Sequence, residues 1–82
     1  MKGLEHMKAY ILINIRIGEI HEVVRQLRRL NGVIEANMTF GPYDAIAVVE
    51  ATDVNHLGNM LAMEIQPIPG VKETLTCLSV EV

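Results

Sequence analysis

At 82 residues the chain has room for one domain, and a domain of this size buries only about 60 % of its unfolded surface, so the half of its residues that are apolar must be placed economically. Seven basic and ten acidic residues give a formal charge of −3, the wrong sign for gripping a phosphate backbone, so no direct nucleic-acid partner is expected. A single cysteine excludes an intrachain disulfide framework, and no stretch approaches the roughly 18 to 20 apolar residues that cross a bilayer.

Met1 to His6 lacks the apolar core of a signal peptide, so residues 1–7 are expected to be a polar tail and the protein cytoplasmic, without membrane contact. From Lys8 to Ile17 the odd positions Ala9, Ile11, Ile13, Ile15 and Ile17 are all apolar. That period of two, rich in β-branched residues, predicts a strand with its odd face buried. After Gly18 the spacing changes: Ile20, Val23, Val24, Leu27 and Leu30 form one stripe of an amphipathic helix. Glu19 and Glu22 suit its start, Arg25, Arg28 and Arg29 its end, and Asn31-Gly32 a left-handed cap.

Val33 to Phe40 alternates again, with Ile34, Ala36, Met38 and Phe40 on one side, until Gly41-Pro42 breaks it. A third strand is expected from Tyr43 to Ala51, and its centre, Ala45-Ile46-Ala47-Val48-Val49, has no polar face. Asp53 then suits the N-cap of a second helix bearing Leu57, Met60, Leu61, Ile65 and Ile68, which Pro67 and Pro69 end. Val71 to Val82 reads as the last strand, with Thr74, Thr76, Leu78, Val80 and Val82 on one face and Val71, Leu75 and Cys77 on the other. Cys77 and Met38 are expected to fill core.

One pattern occurs twice: Leu30-Asn31-Gly32-Val33-Ile34-Glu35 and, 38 positions on, Ile68-Pro69-Gly70-Val71-Lys72-Glu73. Each copy closes a helix and opens a strand, which predicts two βαβ halves in an α+β, ferredoxin-like βαββαβ sandwich over residues 8–82. Both helices should cover one face of a four-stranded antiparallel sheet whose middle strands are the first and third. The other face, with Tyr10, Leu12 and part of the third strand, is too apolar to stay wet. An obligate homodimer, formed through the sheet, is therefore expected.

Catalytic patterns are scarce. His6, His21 and His56 share no ligand spacing, so no metal and no cofactor is expected, and there is no phosphate-binding loop, cysteine pair or serine elbow. The informative segment is Phe40-Gly41-Pro42-Tyr43-Asp44, which sets aromatic rings and a carboxylate side by side. It is either a packed turn whose carboxylate satisfies local amides or a small-molecule pocket. A zwitterionic amino acid needs an acceptor for its ammonium, donors for its carboxylate and an apolar wall; Asp44, the amides near Gly41, the hydroxyls of Thr74 and Thr76, and the rings of Phe40 and Tyr43 make that set.

At these residues the chain resembles a known family. Gly41-x-Tyr43-Asp44, an apolar strand, Asp53, the Ile68-x-Gly70-Val71 joint and Thr74-x-Thr76 look like the effector-binding (RAM) domain of the Lrp/AsnC, leucine-responsive or feast/famine, transcription regulators, over nearly all of Lys8 to Val82. The resemblance implies sheet-to-sheet dimers, higher rings of dimers, and amino-acid effectors held between dimers. Its pocket would draw Gly41, Pro42, Tyr43 and Asp44 from one subunit and Thr74 and Thr76 from a neighbour. Those regulators also carry a helix-turn-helix, for which the seven residues before the first strand are too few. The expectation is thus a stand-alone, non-enzymatic amino-acid-binding module that modulates full-length relatives by forming mixed assemblies. Two other readings use the same dimer: a small α+β-barrel enzyme of the cofactor-independent monooxygenase or isomerase type, and an oligomerisation module without ligand.

Overall fold

In the computed structural model, which describes residues 6–80, the first strand β1 (Met7–Ile15) leads through a turn into helix α1 (Ile20–Leu27), strands β2 (Val33–Met38) and β3 (Ala45–Ala51), helix α2 (Val54–Met60) and strand β4 (Val71–Leu78). The sheet order is β2-β3-β1-β4, with all three pairings antiparallel. This is the ferredoxin-like arrangement, and the two most apolar strands lie in its middle. Of the expected tail, residues 1–5 fall outside the described residues, while Met7 already pairs with Ala51.

The core lies between the helices and one face of the sheet. Ala9, Ile11, Ile13 and Ile15 of β1, Ala36 of β2 and Ala45, Ala47, Val49 and Ala51 of β3 are buried beneath Val23, Val24 and Leu27 of α1 and Leu57 and Met60 of α2. Small residues on β3 let the helices come close, and the branched residues of β1 fill the volume between them. Each isoleucine so buried contributes about 1.5–3 kcal/mol. Ile17 does not join them: the strand ends at Ile15, and Ile17 is almost fully exposed in the turn before α1.

The doubled hexapeptide acquires a structural meaning here. Gly32 and Gly70 both have left-handed φ, 92° and 102°, and both carbonyls accept from the region of a central strand, Gly32 from the Glu50 amide of β3 at 2.8 Å and Gly70 from the Arg16 amide just past the end of β1 at 2.7 Å. Immediately afterwards each edge strand shifts register. Val33 lies opposite Val49 but Glu35 opposite Val48; Val71 lies opposite Ile15 but Glu73 opposite Asn14. Ile34 and Lys72 are therefore extra residues in matching bulges. The bulges turn Val33 and Val71 toward the core, which they pack against, and leave Glu35 and Glu73 on the uncovered face. Two expectations are corrected by this: Ile34 is not in phase with Ala36, and Val71 does not share a face with Leu75 and Cys77. Strict alternation cannot anticipate an inserted residue.

Helix α1 is shorter than its apolar stripe. Beyond Leu27 the chain tightens, with the Arg29 amide bonding the Gln26 carbonyl and the Leu30 amide the Leu27 carbonyl, both at 3.1 Å, so Gly32 caps a turn rather than the helix itself. Helix α2 starts as expected, the Asp53 side chain accepting from the His56 amide at 2.8 Å. His56 reciprocates: its Nδ1 accepts from the Thr52 amide at 3.0 Å. A π-helical turn over Leu61–Ile65 follows, closed by the Gln66 amide on the Leu61 carbonyl at 2.8 Å. In an uninterrupted α-helix Glu64 would stand one turn above Met60 and face inward. The wider π-turn exposes Glu64 and buries Ile65 instead.

On the other face of the sheet Tyr10, Leu12, Ile46, Val48, Leu75 and Cys77 form a continuous apolar field, by the pairings Tyr10↔Val48, Leu12↔Ile46, Tyr10↔Cys77 and Leu12↔Leu75. Cys77 is exposed, contrary to its expected core position, because the edge-strand positions facing the helices fall to Thr74, Thr76 and Leu78. Met38 is half exposed, at the rim of the core rather than in it. Val82, assigned above to the last strand, lies outside the described residues.

Candidate functional site

The turn between β2 and β3 is built by Thr39. Its amide donates to the Asp44 carbonyl at 3.1 Å and its hydroxyl to the Tyr43 carbonyl at 2.8 Å, which closes the loop on itself. Asp44 is tied to β1 twice. Its amide donates to the Ile13 carbonyl at 2.9 Å, and its Oδ2 accepts from the Ile15 amide at 2.7 Å. The carboxylate thus takes over where the ladder stops, completing the hydrogen bonding of β1.

Between these anchors the turn is open. Gly41 has φ 144° with nothing within 4 Å of where a Cβ would stand, Gly41 and Pro42 are exposed, and Phe40 is fully exposed. The amides of Phe40, Gly41 and Tyr43 donate to no described residue. Two shallow depressions flank the segment. One, of about 310 Å³, lies on the helix side and is lined by Ile20, Met38, Thr39, Phe40 and Asp44. The other, of about 260 Å³, runs from Gly41, Pro42 and Tyr43 to Leu12 and Ile46 on the uncovered sheet face.

Within one chain, therefore, the structure gathers Phe40, Gly41, Pro42, Tyr43 and Asp44, and it keeps Thr74 and Thr76 apart from them. Ala45 and Thr74 are the two cross-strand neighbours of Ile13, so the whole width of β1 separates them, roughly 10 Å across two strand spacings. Thr74 and Thr76 are half-buried on the helix side of β4, and the Thr74 hydroxyl accepts from Gln66 Nε2 at 3.1 Å. Ile20, Met38 and Gln66 were missed by sequence reasoning. The first two were absorbed into apolar stripes, and Gln66 is delivered by the π-turn, whose only trace was the five-residue step from Met60 to Ile65.

Elsewhere the chemistry is sparse among the described residues. No three His, Cys, Asp or Glu side chains come together as metal ligands. The resolved pKa displacements belong to one exposed helical pair: the Arg25 guanidinium, 2.6 Å from Glu22, holds that carboxyl below its ordinary value and is itself raised in return. Such i,i+3 pairs are ordinary surface features. No described helix is long and apolar enough to cross a membrane.

Residues 8–82 match the family model described as the Lrp/AsnC ligand binding domain. The HTH-type transcriptional regulator FL11 of Pyrococcus horikoshii is 32% identical over 72 residues, covering 88% of this chain and 47% of that protein. This chain spans about half the length of the curated relatives it matches. Among solved structures, a protein from Thermus thermophilus superimposes with a TM-score of 0.88 at 29% identity, covering 93% of this chain and 95% of the other. E. coli AsnC has the same fold, with a TM-score of 0.87 at 23% identity over 93% of this chain and 52% of that one.

Proposed function

This chain belongs to the Lrp/AsnC ligand-binding-domain family, and from that premise we propose that it is a non-enzymatic regulatory module that binds a free α-amino acid at the Phe40–Asp44 turn. The observation that carries the reading is the pairing of unused backbone donors with a carboxylate in one turn. The free amides at Phe40, Gly41 and Tyr43 suit the α-carboxylate of a ligand, and the second oxygen of Asp44 suits its ammonium. Thr74 and Thr76 of a neighbouring subunit complete the site. The uncovered apolar field of the sheet supports a homodimer, higher rings of dimers bring the turn to its neighbour, and the module acts in the cytoplasm on full-length regulators of its own family by mixed assembly.

Isothermal titration of the protein against the twenty amino acids tests this. A ligand of roughly ten heavy atoms binds such a site with micromolar to millimolar affinity. Asp44→Asn keeps an oxygen for the Ile15 amide while removing the negative charge, so it should fold normally yet lose about 1.5–3 kcal/mol of binding. Failure of all twenty at millimolar concentration, or unchanged binding by Asp44→Asn, overturns the assignment of this turn and leaves it a structural element.

A further inference from the structure

We infer that Asn31 is a site of spontaneous chemical modification, losing ammonia to become aspartate or isoaspartate, and that the change loosens the joint between α1 and β2. Asn31 is the one asparagine of the chain that is followed by glycine. It is exposed, its side chain bonds no described residue, and the Gly32 amide donates to none. An unengaged nitrogen next to a residue without a side chain is what the reaction needs. The Gly32 nitrogen gives up its proton to hydroxide and forms a bond to Asn31 Cγ. The bond from Cγ to the side-chain nitrogen breaks, and that nitrogen takes a proton from water and leaves as ammonia, restoring the hydroxide. Water then opens the cyclic imide. Cleavage at Cγ gives aspartate; cleavage at the main-chain carbonyl gives isoaspartate, whose backbone runs through Cβ and Cγ and is longer by one carbon.

The other four asparagines stand before Ile15, Met38, His56 and Met60, whose side chains crowd the attacking nitrogen. The Ile15 and His56 amides are also engaged, by Asp44 and Asp53, and Asn37 is held at both ends, its Nδ2 donating to Glu35 at 3.0 Å and its Oδ1 accepting from Arg28 at 3.3 Å. Asn31 instead stands in a turn closed by the Val33 amide on the Leu30 carbonyl at 3.3 Å, the longest of the described turn bonds and weaker for it, so little opposes the swing of Cγ toward the nitrogen. The joint has no room for the extra carbon. A Cβ on Gly32 would already meet Met60 Cε at 2.7 Å, and the Gly32 carbonyl accepts from the Glu50 amide at 2.8 Å; a longer backbone just ahead of Gly32 displaces both. The twin joint carries Pro69 where this one carries Asn31, so it is spared.

The test incubates the wild-type protein at neutral pH and one unit above it, beside the free peptide Leu30–Glu35, followed by cleavage after glutamate, which isolates Asn31 between Glu22 and Glu35, and mass spectrometry. That fragment should gain one mass unit, at a rate that follows hydroxide and is roughly tenfold or more above that of every other asparagine-bearing fragment, since only its neighbour is a glycine. Enzymatic methylation specific for isoaspartate should label it. Asn31→Gln, an exposed exchange that requires a larger and slower ring, should keep the circular dichroism of the wild type and stay unmodified. On incubation the denaturation midpoint of the wild type should fall while that of Asn31→Gln holds. If Asn31 stays intact while the free peptide converts, or another asparagine converts first, the site is wrong. If the converted wild type keeps its fresh midpoint, the loosening of the joint is wrong.

Discussion

At Gly70 an added methyl carbon would lie 3.0 Å from Glu19 Cβ and 3.2 Å from Val23 Cγ2, with the backbone already at φ 102°. Conformation and space both demand glycine there. Gly32 repeats the pattern at the other joint, where the methyl carbon would meet Met60 Cε at 2.7 Å and the Glu50 carbonyl at 3.2 Å, so each glycine admits a side chain of the helix that packs over it. Gly70→Ala should destabilise the protein by about 1–3 kcal/mol, the range for a residue forced into a sparse backbone region. Gly58→Ala, in the exposed interior of α2 with open space around it, should stabilise by roughly 0.5–1 kcal/mol. Denaturation midpoints at one protein concentration would separate the two, and equal shifts would refute the packing argument. The repeated glycines were legible as helix-to-strand joints, because a left-handed turn is a local demand. Which side chains press against them was not, since those contacts cross between the two halves.

The second helix shows the same division at the scale of an element. Its N-cap was readable at Asp53, a side chain bonding an amide three residues ahead. The bond by which His56 Nδ1 accepts from the Thr52 amide, one residue before the cap, was not legible, because the usual reciprocal partner is a glutamate or glutamine bonding the cap residue's own amide. The π-turn is a compromise between α-helical hydrogen bonding and the need to seat Ile65 rather than Glu64 over the sheet. Ile65→Ala should cost about 2–5 kcal/mol as a core truncation, whereas Glu64→Ala should stay within about 0.5 kcal/mol. Chemical denaturation checks this register, and equal losses at the two positions would refute it. Arg28 makes an element-scale contribution too: its Nε donates to the Ala36 carbonyl at 2.8 Å and its Nη2 bonds Asn37 Oδ1 at 3.3 Å. A charged side chain so placed guards the bulged β2 edge against further strand pairing.

For the whole molecule the decisive feature is the imbalance between the two faces of the sheet. One is sealed by helices; the other presents Tyr10, Leu12, Ile46, Val48, Leu75 and Cys77, rimmed by Lys8, whose ammonium lies 5.7 Å from the Tyr10 ring centroid, and by Glu50 opposite it. Leu12 is central, with Ile46 on one side and Leu75 on the other. Size-exclusion chromatography with light scattering should give at least a dimer mass at micromolar concentration. Leu12→Asp should dissociate or unfold it, since an unpaired carboxylate in a closed apolar interface costs several kcal/mol; a folded monomeric wild type would sink the sheet-to-sheet dimer.

The amino-acid sequence by itself determined the order of elements, the central pair of strands, the buried face of β1 and the segment in which Asp44 meets an open turn. All of these follow from spacing along the chain, a period of two or of 3.6 and the φ demands of single glycines, which act between near neighbours. Only the tertiary structure decided that Asp44 is bonded to Ile15, 29 residues away, that Ile34 and Lys72 are bulged, that Cys77 faces outward, and that Thr74 stands across β1 from the turn. Those outcomes depend on cross-strand register. A single inserted residue reverses which face every later side chain of a strand takes, and what holds the insertion in place is a partner strand far away in the chain.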